Sequence, residues 1–240
     1  MSFLRLDKII TDSGVCSRSQ AKEWIRQGRV AVNGAVCTDP ASKWDPATTG
    51  FSVNGEPIRE SGHIYVMLHK PAGVLTAARD PRQPTVMDLM PPAWKKRGLF
   101  PVGRLDKDTT GLLLLTDDGE WGHRIISPKS RVSKLYEARV DGTAAPEDAE
   151  AFRRGIVLKD GLQCLPAGLE ILSPSLVRVT VFEGKYHQVK RMLASRGLPV
   201  TALKRLRVGG LGLDESLSPG EYRLLTKEET EAVAPGMLSK

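Results

Sequence analysis

Aromatic residues are scarce in this chain: five Phe, four Trp and four Tyr make up 5% of its 240 residues. That is too few for the Trp- and Tyr-rich anchors of a protein–protein hub or for the stacking surfaces of a sugar-processing site. Cysteine is scarcer still. Cys16, Cys37 and Cys164 are odd in number, far apart and in no metal-ligand spacing, which sets aside a disulfide framework and a thiolate metal site and leaves three reduced thiols. No apolar run approaches the ~20 residues that a membrane-crossing helix needs. Met1–Arg5 lacks the core of a signal peptide, so the expectation is a soluble, cytoplasmic protein with no membrane association. Acids are also in deficit: 28 Asp and Glu face 35 Lys and Arg, a formal charge of +7. A surplus of that size favours a polyanionic partner, nucleic acid before membrane. The length allows one sizeable domain, or an ordinary domain plus a small one.

The small domain comes first. Arg5–Thr11 carries Leu6, Ile9 and Ile10 at helical spacing, with Gly14 as its stop. Ser17 followed by Gln20 has the form of a capping box and opens a second helix through Gln27, with Gly28 behind it. On that helix Ala21, Trp24 and Ile25 form a core stripe. Arg18, Lys22 and Arg26 recur every fourth residue and line another face, with Arg29 beyond the helix end. Their mutual repulsion is relieved if phosphates lie across them. Asn33-Gly34 within Val30–Val36, and Asn54-Gly55 within Phe51–Ile58, each signal a tight hairpin. The Pro, Gly, Thr and Ser of 41–62 close the module near residue 60. Arg5-Leu6-Asp7-Lys8, Ser17-Arg18, Ile25, Gly28 and Val30 through Gly34 resemble the small RNA-binding fold named after ribosomal small-subunit protein S-four. The resemblance implies that residues 1–60 grip RNA, with Arg18, Lys22 and Arg26 as the contacts.

From His63 the pattern changes to strands with short helices between them. Ile64–His69 reads as a strand stopped by Pro71. Val132–Val140 alternates, with Tyr136, Ala138 and Val140 on one face and Leu135, Glu137 and Arg139 on the other. Pro146–Arg154 reads as an exposed helix, and Leu169–Leu172 with Leu176–Phe182 as a hairpin. His187–Arg196 reads as a helix with Val189, Met192 and Leu193 inward and Gly197 as its stop. Without regular strand–helix alternation, the fold class is α+β, a small module followed over 61–240 by a mixed, mainly antiparallel sheet domain. Residues 183–207 hold seven cations against the single acid Glu183, a net of +6 that suits a phosphate-bearing substrate.

The chemistry concentrates in Gly103-Arg104-Leu105-Asp106-Lys107-Asp108-Thr109-Thr110-Gly111, which runs into Leu112–Leu115 and ends at Asp117-Asp118-Gly119. Four leucines bounded by turn residues read as a strand buried on both faces. Charges at the mouth of such a strand are costly unless paired. Three readings are open. Asp106, Asp108, Gly111 and Asp117 fall at places one, three, six and twelve of a calcium loop, although Leu114 stands at the ninth and flanking helices are missing. Two carboxylates could serve a glycosidase. Arg104 and Asp106 could also pair only to tie down a turn.

Gly103-Arg104-Leu105-Asp106-x-Asp108-Thr109-x-Gly111-Leu112 resembles the catalytic motif of the pseudouridine synthases of the RsuA/RluA superfamily. Further matching pieces follow in order: Leu68-His69-Lys70-Pro71-x-Gly73, Lys134-Leu135-Tyr136, Glu183-Gly184-x-Tyr186-His187-Gln188-Val189-Lys190-Arg191-Met192, and Leu203 through Gly210. The front module and Lys190-Arg191-Met192 point to the RsuA-like branch. Trp121–Pro128 and Pro219–Arg223 resemble its small-subunit member. The resemblance implies isomerisation of a uridine in 16S rRNA, free or in a small-subunit assembly intermediate, by a monomeric bacterial enzyme that uses no cofactor and no metal. Asp106 is then the catalytic residue. It attacks C1′ or removes the C2′ proton, and the detached uracil rotates and rebonds through C5. Lys190 keeps Asp106 ionised, Tyr136 packs on the target base and helps remove the C5 proton, and Arg104 fills the gap of the flipped base or binds its phosphate. Lys185 and Arg191 contact RNA, Asp108 is loop structure, and His187 stays outside the catalytic set. Lys185 stands where arginine is commoner and His69 where asparagine often sits. The alternatives are a large-subunit (23S) synthase of the same family and a non-catalytic rRNA-binding assembly factor.

Overall fold

The computed structural model describes residues 3–13, 16, 18–46, 48–58 and 63–233. Gly14, Ser17, the boundary near residue 60 and the side chain of Arg18 lie outside that description. Two compact units emerge from the backbone contacts: residues up to Ile64 together with Pro91–Gly98, and Tyr65–Met90 together with Leu99 onward.

The first unit runs β1 (Leu4–Arg5), α1 (Leu6–Asp12), α2 (Arg18–Arg26), β2 (Val30–Val32), β3 (Ala35–Val36), β4 (Lys43–Trp44), β5 (Phe51–Val53) and β6 (Glu56–Ile58). The antiparallel sheet β3-β2-β5-β6 is closed by its two Asn-Gly turns. All four turn residues have positive φ: 49° and 82° at Asn33 and Gly34, 53° and 83° at Asn54 and Gly55. This is the backbone that a twisted two-residue hairpin requires and that Asn-Gly supplies at least cost. Leu6 and Ile10 of α1, Ala21 and Ile25 of α2, and Val30, Val32, Phe51 and Val53 of the sheet form one core.

The second unit comprises β7 (Tyr65–Lys70), β8 (Phe100–Val102), β9 (Thr110–Thr116), α4 (Gly119–Ile126), β10 (Lys134–Val140), α5 (Pro146–Arg154), β11 (Gly168–Ser173), β12 (Leu176–Val181), α6 (Gln188–Ser195), β13 (Val200–Val208), β14 (Leu211–Gly212), β15 (Tyr222–Leu224) and α7 (Lys227–Val233). The intervening α3 (Pro92–Lys96) groups with the first unit. The sheet order is β11-β12-β10-β13-β9-β7-β15, with β14 on β13 and β8 on β9. Every pairing is antiparallel except β13 with β9. The α+β class and the mainly antiparallel sheet are therefore as the sequence predicts. Among the described residues no helix is long and apolar enough to cross a membrane.

Leu112–Leu115 are all buried to within 1%. Leu112 and Leu114 pack with Met67, Val102, Trp121 and Val208. Each fully buried leucine contributes about 1.5–3 kcal/mol, so β9 is firmly fixed. At its start the parallel pairing sets Gly111 against Arg205. With φ of 103°, Gly111 lets the Arg205 carbonyl approach into space that a Cβ would occupy. A second core joins Ala138, Val140, Val177, Val179 and Val181 to Phe152 of α5 and Met192 and Leu193 of α6.

Two local expectations change. The helix at Pro146–Arg154 is half sunk: Phe152 is fully buried, and Asp148 both accepts the Ala145 N–H (3.0 Å) and pairs with Arg196 Nε (2.8 Å). Capping the helix turns that acid inward. The basic helix begins at Gln188, one residue later than its apolar pattern suggests, because His187 has φ of 47° and cannot be helical.

Candidate active site

The loop between β8 and β9 is held from below by a buried cation. Lys70, at the end of β7, is wholly buried. Its Nζ donates to the carbonyls of Pro71 (2.9 Å), Lys107 (3.2 Å) and Thr109 (3.0 Å). Gly73 N–H also reaches the Lys107 carbonyl at 2.8 Å, and Thr76 Oγ1 donates to the Leu105 carbonyl at 2.8 Å. Segment 70–76 thus fixes the backbone on both sides of Asp106. Burial pulls the Lys70 pKa down to about 8, against the opposing pull of Asp108 and Asp106.

From the other side comes α6. Lys190 Nζ stands 3.1 Å from Asp106 Oδ2 and 2.6 Å from Asp108 Oδ1, and His187 Nε2 stands 3.4 Å from Asp106 Oδ1. Desolvation pulls the Lys190 pKa down, but its hydrogen bonds to Asp108 and Asp106 outweigh that and hold it above the ordinary lysine value. The Lys190 hydrogen bond in turn keeps the Asp108 carboxyl below the usual range. Reading Asp108 as loop structure alone is therefore corrected: one ammonium serves both carboxylates. The Asp106 side chain is 27% exposed and that of Asp108 74%, so Asp106 is the sheltered member of the pair. The turn reading fails as well. Arg104 is exposed and forms no hydrogen bond or ion pair among the described residues, with Asp106 or any other group.

Asp106, Tyr136 and Lys190 line one hollow, together with Arg104 and Lys185. Tyr136 lies opposite Arg205 across β10 and β13. Arg205 is buried, donates from Nε to the Leu112 carbonyl at 2.8 Å, and brings Nη1 to 3.5 Å from the Tyr136 hydroxyl. Its Nη2 is buried with no partner among the described residues. Beside it, burial and the Arg205 charge push Lys134 down to about 8. An adjoining cleft of about 640 Å³ is lined by Arg104, Asp106, Lys134, Tyr136, His187 and Arg205. This is a sheltered carboxylate in a basic hollow, with a phenol beside it and a free guanidinium at the edge.

The remaining candidates divide. Lys22 is half-buried and Arg26 exposed on α2, neither with a partner among the described residues. Lys185 and Arg191, expected from the sequence to contact RNA, are engaged within the fold. Lys185 pairs with Glu183 (3.2 Å) and donates to the Gln163 carbonyl, and Arg191 lies 2.5 Å from Asp160. His69 is buried, its Nδ1 2.7 Å from the Leu217 carbonyl. Sequence reasoning passed over Lys70, Lys134 and Arg205 as site residues and set His187 aside. The one available signal for Lys70 was its position in Leu68–Gly73, directly before Pro71.

Residues 64–195 match the RNA pseudouridylate synthase family and residues 4–46 the S4 domain. The chain is 44% identical over 234 residues to ribosomal small subunit pseudouridine synthase A of Escherichia coli K12, covering 96% of this chain and 100% of that protein. It is 43% identical over 230 residues to YtzG of Bacillus subtilis, an uncharacterized RNA pseudouridine synthase, covering 94% and 96%. A crystal structure of a pseudouridylate synthase, 39% identical, aligns over 96% of this chain and 99% of its own with a TM-score of 0.69. Likeness of that order, sustained along nearly the whole length and through the sheltered carboxylate loop, shows that the chain belongs to the RNA pseudouridylate synthase family, with an S4 domain at its front.

Proposed function

We propose that this pseudouridine synthase converts a uridine of small-subunit (16S) rRNA to pseudouridine, with Asp106 as its catalytic carboxylate. The observation that carries the site is the position of Asp106 between Lys190 and His187, facing a hollow that also contains Tyr136 and Arg104. The near-full-length likeness to small-subunit synthases supports the substrate.

In this reading Asp106 acts as an anion at the sugar, attacking C1′ or taking the C2′ proton, and the N1–C1′ bond breaks. The uracil turns within the hollow and C5 bonds to C1′, displacing the Asp106 carboxylate on the first route or with Asp106 returning the proton to C2′ on the second, and the C5 proton is lost as N1 gains one. Atoms balance without water or cofactor. Lys190 pairs with Asp106 at 3.1 Å, and Tyr136, which lines the same hollow, supports the turning base. Arg104 is an exposed cation at this site with no internal partner among the described residues, and it takes the gap or the phosphate left by base flipping. Residues 1–60 grip the rRNA through Arg18, Lys22 and Arg26. Lys185 and Arg191 add positive field but shape the 183–191 turn first.

The test is a pseudouridine map of rRNA from cells lacking the gene, complemented with wild type or Asp106→Ala. One 16S site should vanish, return with wild type and stay absent with the variant. Loss of a 23S site instead would reassign the substrate, and restoration by Asp106→Ala would remove Asp106 from the chemistry.

A further inference from the structure

Tyr186 is 68% exposed, whereas Tyr65, Tyr136 and Tyr222 are each half-buried. In a chain so poor in aromatics, a ring left in solvent beside the reactive carboxylate calls for a physical reason. The ring is not loose. It stacks on His187 with centroids 3.8 Å apart and planes 19° from parallel. The turn beneath is cross-braced: Glu183 accepts from Leu165 N–H (2.9 Å) and from Gln188 Nε2 (2.8 Å), while Gln188 Oε1 accepts from Lys185 N–H (3.0 Å). His187 adopts its left-handed backbone, a conformation costly for a non-glycine residue, and so directs Nε2 towards Asp106 while its face backs Tyr186. Tyr186 also lines the cleft shared by Arg104 and Asp106.

We infer that Tyr186, backed by His187, is a stacking platform for the nucleobase next to the target uridine; this rests on the reading of Asp106 as the uridine-facing carboxylate. Stacked layers lie ~3.4 Å apart, so a base on the outer face of Tyr186 sits about 7 Å from the imidazole that touches Asp106. That is too far for the reacting nucleotide, whose sugar must come within about 3–3.5 Å of the carboxylate. It is the reach of the next nucleotide along the strand. Stacking tolerates any base, so the platform holds the neighbour out of the helical stack while the target is flipped, and sequence choice lies elsewhere.

A double-mutant cycle tests this with the full-length protein and a 16S rRNA fragment containing the mapped uridine, either intact or abasic immediately 5′ or 3′ of it. On intact RNA, Tyr186→Leu should weaken binding about 10- to 100-fold and raise KM more than it lowers kcat. Tyr186→Phe should stay within about twofold of wild type. On one of the two abasic RNAs, wild type and Tyr186→Leu should bind alike. An equal loss on all three RNAs, or no loss on any, overturns the platform. Turnover without this coupling also overturns it while sparing the Asp106 reading. Coupling without turnover does the reverse.

Discussion

Lys70→Met separates holding the active loop from holding the fold. Methionine fills the same space but offers no hydrogens to the carbonyls of Pro71, Lys107 and Thr109. The Lys107 carbonyl keeps the Gly73 N–H, so two carbonyls are orphaned, costing about 2–6 kcal/mol together. The opposing term is the cost of keeping a buried ammonium charged. A pKa brought from 10.5 to about 8 puts that at about 3 kcal/mol, and the substitution relieves it. The net destabilisation is about −1 to +3 kcal/mol, a Tm change of at most about 10 °C for a unit of this size. Activity should respond more strongly, because a ~1 Å displacement of a catalytic group costs about 100-fold. The expected outcome is kcat/KM down about 100-fold in a protein that melts nearly as before. Native protein releases the Lys70 proton near pH 8 and the unfolded chain near 10.5, so between these values the unfolded state binds more protons. Wild type should therefore gain up to about 3 kcal/mol over the variant as pH rises through that window. Urea titrations at several pH values read the difference directly. A stability difference flat from pH 8 to 10.5, or full activity in the variant, would refute the reasoning.

Gly111→Ala drives a Cβ into the Arg205 carbonyl across the parallel pairing and should cost at least about 3 kcal/mol in denaturant unfolding; a loss below about 1 kcal/mol would mean that β9 and β13 can part locally. Lys190→Met strips the ammonium from both Asp106 and Asp108 and should lower turnover about 100-fold, whereas Asp108→Asn, at a position 74% exposed, should cost less than about fivefold. The reverse order in single-turnover assays would make Asp108 the acting carboxylate. Changing Arg18, Lys22 and Arg26 together to Ala should reduce the slope of log affinity against log salt by about 2–3, at ~0.7–0.9 per lost phosphate contact; an unchanged slope returns that face to ordinary solvated surface.

What was legible in the sequence was local. Four adjacent leucines bounded by turn residues read as a strand covered on both faces, and Asn33-Gly34 and Asn54-Gly55 specify their turns within two residues. Asp106, Tyr136 and Lys190 come from a loop, a strand and a helix far apart in the chain, and only the ordered family motifs joined them. Lys70 was illegible for a different reason. A lysine ending an apolar strand looks like a solvated stop until the loop after β8 folds over it. His187 was absorbed into a helical pattern because periodicity registers side chains and is blind to a backbone that turns left-handed one residue before the helix.

The basic stretch 183–207 shows where charge counting misleads. Four of its seven cations meet acids in the fold: Lys185 meets Glu183, Lys190 meets Asp106 and Asp108, Arg191 meets Asp160, and Arg196 meets Asp148. Except for Glu183, those acids lie outside the stretch, so a window of sequence sees the cations and misses what neutralises them. A fifth, Arg205, is buried against β9. The field at the cleft is therefore weaker than a net of +6 suggests and more precisely aimed, since paired cations fix the carboxylates and the turn in position. Two cations of the cleft without a partner among the described residues, Arg104 and Lys134, lie outside that stretch altogether, Arg104 two residues before Asp106. Arg104 is carried by the same loop as Asp106, so any displacement of that loop shifts both at once.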